Sequence, residues 1–271
     1  MIKIDGKEVV IEKFPDGTPR IKIDPFIGYE GAVEVTWFYE SNDELMYLIF
    51  IKKHLERHIP NEFISLFLPY IPNARMDRTK NDDEVFTLKY FCDFINWLNF
   101  STVSVLDAHS DVSVALLNNC YNETPKEFME YVIKKIGEEV ILYFPDSGAA
   151  KRYSELFPDI QYCYGEKNRD WKTGKILGLT VRTNGIDLAG KNVLMADDII
   201  AFGGSLHFGA AELKKRGAGR IYAYATHTEN SVLDKEKGTL IKDLENNTVE
   251  RLFTTNSLFT GKHEKITVME V

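Results

Sequence analysis

The chain has 271 residues, 44% hydrophobic and 27% charged, with a formal net charge of −8. That length holds one large core or two modest ones, because domains run to roughly 100–200 residues. The acidic balance, with no sustained Lys/Arg run, excludes a nucleic-acid backbone as the main partner, and no apolar run reaches the roughly 18 residues that a bilayer crossing needs.

The chain opens with Met1-Ile2-Lys3-Ile4-Asp5-Gly6-Lys7, which mixes charge with apolar residues and lacks the apolar stretch of a secretory leader. A cytoplasmic protein is therefore expected. Apolar runs suited to buried strands follow at 63–68, 103–106, 140–144, 192–196 and 221–225. Segments of helical period lie between them. Val85, Leu88, Cys92, Ile95 and Leu98 keep one stripe, and Leu206, Ala210 and Leu213 keep another that ends in Lys214-Lys215-Arg216-Gly217, a basic last turn followed by glycine. Alternating strands and helices predict an α/β fold in two lobes, each a mostly parallel sheet flanked by helices. The expected division is 1–140 and 141–271, with strand-like residues 249–253 and 265–271 at the end and the last strand returning to the first lobe.

Five polar clusters follow or lie between these runs. The strand at 192–196 delivers Asp197 and Asp198 at its carboxyl end, and Ala201-Phe202-Gly203-Gly204-Ser205 then opens a helix. Acids there suit ribose hydroxyls, and free helix N–H groups suit a phosphate. A tight turn with an Asp cap fits the same string. After 63–68 comes Pro69-Tyr70-Ile71-Pro72-Asn73-Ala74-Arg75-Met76-Asp77-Arg78, where two arginines straddling an aspartate can clamp polyphosphate oxygens or form a solvated loop. Asp107-Ala108-His109-Ser110-Asp111 follows a strand, and Pro145-Asp146-Ser147-Gly148-Ala149-Ala150-Lys151-Arg152 lies at a strand-to-helix turn. An imidazole and a carboxylate from two such loops can share one Mg²⁺ with phosphates and water. Lys167-Asn168-Arg169 lies in the polar stretch 165–174, suited to a flap that directs both cations at one phosphate. His54 and His58 are four apart with no third ligand and read as an exposed helix face. Cys92, Cys120 and Cys163, odd in number and widely spaced, read as reduced thiols outside the chemistry.

Taken in order, these clusters resemble those of the ribose-phosphate pyrophosphokinases, the phosphoribosyl pyrophosphate synthetases. Lys13-Phe14-Pro15-Asp16-Gly17 is similar to that family's Arg-Phe-Ser-Asp-Gly, and Ser41-Asn42-Asp43-Glu44-Leu45-Met46 to its Val-Asn-Asp-Asn-Leu-Met. The resemblance implies two phosphoribosyltransferase-like lobes with ATP and a sugar bound between them. It assigns Phe14, Asp16, Arg75, Asp77 and Arg78 to ATP, His109 and Asp146 to magnesium, and Lys167 and Arg169 to catalysis as flap cations. Asp197, Asp198, Ala201, Phe202, Gly203, Gly204 and Ser205 would hold the ribose phosphate. Phe14 and Asp16 would reach adenine in a neighbouring subunit, which implies a homo-oligomer. The implied reaction moves the diphosphate of Mg·ATP onto the anomeric hydroxyl and releases AMP.

Two departures bear on the acceptor and on the adenine contacts. The family's sugar loop usually reads Asp-Asp-Met-Ile-Asp-Thr-Gly-Gly-Thr, whereas Ala201 and Phe202 replace an acid and a hydroxyl here. Losing a phosphate donor and gaining a ring slightly favours an acceptor whose 5′-phosphate is already substituted, ADP-ribose, as in phage-type relatives that feed NAD synthesis. Free ribose 5-phosphate is the alternative acceptor, and a non-catalytic regulatory homologue is the alternative to an enzyme. Thr18 also stands where the family's adenine loop usually has glutamate.

Overall fold

Alternate burial of apolar side chains sets the strands of the first unit, and one-sided burial sets its helices. A computed structural model describes residues 1–24, 31–169 and 176–271, with the side chains of 167–169 and 176–178 outside the description. In chain order the first unit contains β1 (Ile2–Ile4), β2 (Lys7–Glu8), β3 (Val10–Lys13), β4 (Pro19–Lys22), β5 (Val33–Trp37), α1 (Glu44–Leu55), β6 (Ile64–Leu68), α2 (Thr87–Leu98), β7 (Val103–Leu106), α3 (Asp111–Leu116) and β8 (Cys120–Glu123). Its sheet runs β2-β1-β5-β6-β7-β8, parallel from β5 to β8 and antiparallel at β1 and β2, while β3 and β4 form a separate hairpin. Leu88, Phe91, Cys92, Ile95 and Leu98 bury one face of α2. Val85, part of the expected stripe, instead lies ahead of the helix and is exposed.

The second unit contains α4 (Lys126–Ile136), β9 (Val140–Phe144), α5 (Ser147–Ser154), β10 (Tyr162–Arg169), β11 (Ile176–Arg182), β12 (Asn192–Ile200), α6 (Gly204–Lys215), β13 (Ile221–Thr228), α7 (Leu240–Glu245), β14 (Leu252–Thr255) and β15 (Ile266–Met269). Strand order is β11-β10-β9-β12-β13-β14-β15, and every pairing except β10 with β11 is parallel. The sheet is apolar on both faces. Ile141, Tyr143, Val193 and Met195 pack with Leu206, Ala210 and Leu213 of α6. Leu142, Phe144, Leu194 and Ala196 pack on the other face with Met129 and Val132 of α4 and Ala149, Ala150 and Tyr153 of α5. The expected α/β architecture with mostly parallel sheets is thus present in both units.

The chain divides as Met1–Thr124 and Pro125–Val271, upstream of the boundary expected at 140. The reason is the burial of Met129 and Val132 against β9, which binds α4 to the second unit. The last strand does not return to the first unit. β15 pairs in parallel with β14, Leu252 opposite Ile266 and Thr254 opposite Val268, so its backbone extends the second sheet. No helix among the described residues is long and apolar enough to cross a membrane. All three cysteines are free, and burial pushes the thiols of Cys92, Cys120 and Cys163 up to about 12, 11 and 12.

If α4 is part of the second core, Met129→Ala will lower the stability of that unit by about 2–4 kcal/mol through lost burial and a residual cavity. Urea denaturation followed by circular dichroism measures it, and a loss below about 0.5 kcal/mol would contradict the packing.

Candidate active site

In an open parallel sheet the ligand crevice lies at the carboxyl ends of the strands, where the strand order reverses. In the second unit the chain leaves β9 on one side for β10 and β11, and occupies the other side with β12 to β15. Asp146 follows β9, and β12 beside it carries Asp197 and Asp198, so the three carboxylates gather at that point.

The acidic pair is still part of the strand. β12 runs on past Ala196 to Ile200, with Asp197 in register with Ala225 and Ile199 with His227. Strand alternation starts the two side chains from opposite faces, yet at this strand end their carboxyl groups stay within hydrogen-bonding reach of each other. Asp197 follows Val193 and Met195 on the α6 face, whereas Asp198 follows Leu194 and Ala196 on the α5 face. There Arg152 of α5 meets it, Nη2 to Oδ2 at 3.1 Å, with Asp198 buried. The Asp198 amide donates to Asp197 Oδ1 at 3.0 Å and the Ile199 amide to Asp198 Oδ1 at 2.8 Å. Burial pushes the Asp197 carboxyl well above the usual range, and the adjacent Asp198 and the nearby Asp146 push it further. Asp146 caps α5, its Oδ1 accepting the amides of Gly148 and Ala149, each at 3.1 Å.

Behind the acids the chain makes the tight turn into α6. The Phe202 carbonyl accepts the Thr239 amide at 2.8 Å and the Thr239 hydroxyl at 2.9 Å, which ties the turn to the start of α7. Gly203 has φ of 85°, and a Cβ there would stand 2.3 Å from Leu240 Cβ. Glycine is required on both counts. No side chain caps α6 among the described residues, so its first turn presents backbone N–H groups and a positive dipole end. Ala201, Gly204 and Ser205 are partly buried, and the Phe202 ring is 38% exposed.

The first unit carries its own cluster. Asn73 takes the left-handed conformation after β6, and Met76 N–H closes the turn on its carbonyl at 2.8 Å. The turn exposes Arg75 and Arg78, with Asp77 half-buried beside Arg78, Nε to Oδ1 at 3.9 Å. After β7, Asp107 is buried in a left-handed conformation and Ala108 N–H donates to Asn122 Oδ1, which places the half-buried His109 at the start of α3. In the hairpin, Phe14 is 50% exposed next to the tip. Asp16 accepts the hydroxyl of Thr18 at 2.7 Å and its amide at 3.0 Å, and these bonds hold its carboxyl below the ordinary range. Thr18, which departs from the family's glutamate, thus shapes this turn.

The second unit brings together Asp146, Asp197, Asp198 and the turn through Ser205; Phe14, Asp16, Arg75, Asp77, Arg78 and His109 belong to the first unit. Lys167 and Arg169 have backbone positions at the end of β10, opposite Leu179 and Ile176 of β11, and their side chains lie outside the described residues. Part of the expected flap is therefore strand. Arg152 carried no role in the sequence reading. Its signal was a cation in the helix that Asp146 opens, but its pairing with an acid 46 residues away is a tertiary contact.

Among the described residues no group of three His, Cys, Asp or Glu gathers to hold a metal. The donors still fit Mg²⁺, which prefers oxygen, keeps several waters and takes one or two carboxylates with substrate phosphates. Asp146 supplies such an oxygen at the carboxyl end of β9.

Two expected outcomes test this geometry. Gly203→Ala will lower Tm by several degrees, because the new methyl collides with Leu240 and strains φ; an unchanged Tm would show that α7 yields freely. Arg152→Ala leaves Asp198 buried without this cation, so stability will fall by about 2 kcal/mol, with Arg152→Lys recovering only part. Equal stability of the alanine variant in denaturation would show the pair to be dispensable.

No family model matches the chain. Individual relatives do. The chain is 30% identical to the ribose-phosphate pyrophosphokinase of Pyrococcus furiosus and 29% identical to that of Thermococcus kodakarensis, in each case over 81% of this chain and 77% of the relative. It is 26% identical to the enzyme of that name from Sulfurisphaera tokodaii over 100% of this chain and 91% of the relative. The crystal structure of phosphoribosylpyrophosphate synthetase from Mycobacterium smegmatis shares the fold, with a TM-score of 0.71 over 97% of this chain and 86% of that one at 19% identity. The motifs, the two parallel-sheet units and these relatives agree: the chain belongs to the ribose-phosphate pyrophosphokinase family and is an enzyme of the diphosphokinase type.

Proposed function

We propose that the protein transfers the β,γ-diphosphate of Mg·ATP to the anomeric C1 hydroxyl of ribose 5-phosphate, giving phosphoribosyl pyrophosphate and AMP, as a cytoplasmic homo-oligomer. One observation carries the reading. β12 carries two adjacent carboxylates in its last four residues, and the turn after it leads to the N-terminus of α6, for which no side-chain cap is found among the described residues. A ribose 5-phosphate presents hydroxyls and a phosphate with that spacing of demands: acceptors for the sugar, N–H donors and a positive dipole end for the anion.

In this reading Asp197 and Asp198 accept the ribose hydroxyls, with Arg152 holding Asp198 in place. Gly203, Gly204 and Ser205 receive the 5′-phosphate. Arg75 and Arg78 bind ATP phosphates, with Asp77 orienting Arg78. Phe14 and Asp16, in the hairpin, serve the adenine of a neighbouring copy. His109 of the first unit and Asp146 of the second are the residues that would help phosphates and water to hold Mg²⁺, which would neutralise polyphosphate charge. The C1 oxygen attacks the β-phosphorus in line and forms the new P–O bond. The bond from that phosphorus to the bridging oxygen breaks, AMP departs with the electron pair, and the hydroxyl proton passes to solvent. Catalysis is then mainly positioning and charge stabilisation, with Lys167 and Arg169 on the transferred group and the departing AMP.

Read by themselves, Ala201 and Phe202 favour ADP-ribose. The relatives support the simpler acceptor, since all three carry the name ribose-phosphate pyrophosphokinase. ADP-ribose stands as the second reading because the Phe202 ring is 38% exposed, open for stacking on an adenine.

Purified protein given Mg·ATP and either acceptor will release AMP, measured by chromatography with product mass, at a higher kcat/KM with ribose 5-phosphate. A higher value with ADP-ribose, abolished by Phe202→Ala, would reverse the order of the two readings. AMP release no faster with either acceptor than with water would refute the assignment of this reaction. Lys167→Ala will lower kcat about 100-fold or more while the KM for ATP stays within about threefold, as expected for a group acting on the transition state; equal changes in both would place Lys167 in ground-state binding.

A further inference from the structure

One buried polar group has no part in the chemistry above. Tyr143, on β9, is fully buried, and its hydroxyl has no hydrogen-bond partner among the described residues. Phenylalanine would fill the same space without leaving a buried donor unpaired. A compensating acceptor is therefore expected in some state of the protein.

Two glycines show where the hydroxyl points. A Cβ on Gly165 of β10 would stand 2.5 Å from Oη, and one on Gly209 of α6 would stand 2.7 Å from it. Tyr143 is in register with Cys163 on β10 and Met195 on β12. Since Oη reaches Gly165, two residues further on, the ring leans towards the carboxyl ends of the strands, beneath α6. Asp197 lies two residues beyond Met195, on the same face of the neighbouring strand. The electrostatics agree with this placement. Burial pushes the phenol up, and Cys163, Asp197, Asp146 and Glu212 push it further, Asp197 foremost among the carboxylates.

We propose that Tyr143 is a positioning residue for the acceptor sugar: its hydroxyl is the donor reserved for the Asp197 carboxylate, and it closes on that carboxylate when ribose binds. Asp197 Oδ1 already accepts the Asp198 amide. A charge-assisted O–H···O⁻ bond from Tyr143 fixes the rotamer of the carboxylate and leaves its remaining lone pairs for the sugar hydroxyls. Gly165 and Gly209 are the space that such a ring requires at this depth. The inference rests on the assignment of ribose hydroxyls to Asp197.

The test compares Tyr143→Phe, Asp197→Asn and the double variant by steady-state kinetics and thermal melting. Tyr143→Phe is expected to raise the KM for ribose 5-phosphate about tenfold, the loss of one charge-assisted bond, with the KM for ATP unchanged and Tm unchanged or higher. Asp197→Asn is expected to raise the same KM more, and the double variant to be no worse than Asp197→Asn by itself, because the tyrosine acts only through that carboxylate. A Tyr143→Phe enzyme with acceptor KM within twofold of the parent overturns the proposal, as does a full multiplication of the two effects or a matched rise in both KM values with a lower Tm. If Asp197→Asn leaves the acceptor KM unaltered, the placement of ribose at Asp197 fails and this role falls with it. If Asp197→Asn weakens the acceptor and Tyr143→Phe does not, only the role of Tyr143 falls.

Discussion

The pairing of β12 between β9 and β13 is the constraint from which the candidate acceptor site derives. Ladder hydrogen bonds hold the backbone through Asp197 and on to Ile200, so the two acids emerge from a rigid strand. A strand end has fewer alternative conformations than a free loop, and positioning to a fraction of an ångström is worth more to a phosphoryl-type transfer than any single contact. The same register keeps the two carboxyl groups within reach of each other, while their other neighbours differ. Asp198 finds a guanidinium. Asp197 is buried beside other acids, and burial first, then those acids, raises its pKa.

The surroundings of that strand divide the labour. On one face α5 is capped by Asp146 and returns Arg152 to Asp198, so one helix both fixes a carboxylate at the end of β9 and pairs a buried acid of β12 with a cation. On the other face α6 begins at a glycine whose conformation and clearance from Leu240 admit no side chain. α7, anchored to the Phe202 carbonyl, holds the turn from behind, and buried Asp243 of α7 meets His207 Nδ1 at 2.8 Å, a second tie between α6 and α7. Phe202 is exposed because its carbonyl is committed to α7 while its ring finds no core.

Much of the fold was legible from local pattern. The runs at 103–106 and 140–144 match β7 and β9 to the residue, and the stripe Leu206, Ala210, Leu213 is the buried face of α6. Strand ends were less legible. Asp197 and Asp198 resemble loop residues by polarity, yet β13 offers backbone partners as far as Thr228, and those bonds override local preference. The division of the chain and the destination of β15 also escaped the sequence, because the first depends on which core accepts Met129 and the second on which sheet edge is open.

Sequence alone determined the chemical inventory: the acids near the end of β12, the glycines before α6 and the arginine loop after β6, identifiable because each follows an apolar strand pattern, and the cations of 167–169, identifiable in their polar stretch. It also determined that the layers would be helix-covered parallel sheet, since uninterrupted apolar strands have two faces to bury. Tertiary structure alone decided that Arg152 pairs with Asp198, that Asp197 is buried beside Asp198 and Asp146, and that Tyr143 carries its hydroxyl beneath α6 between two glycines. Those relations join residues from different strands and helices, and side chains that meet across a sheet leave no periodicity in the chain that carries them.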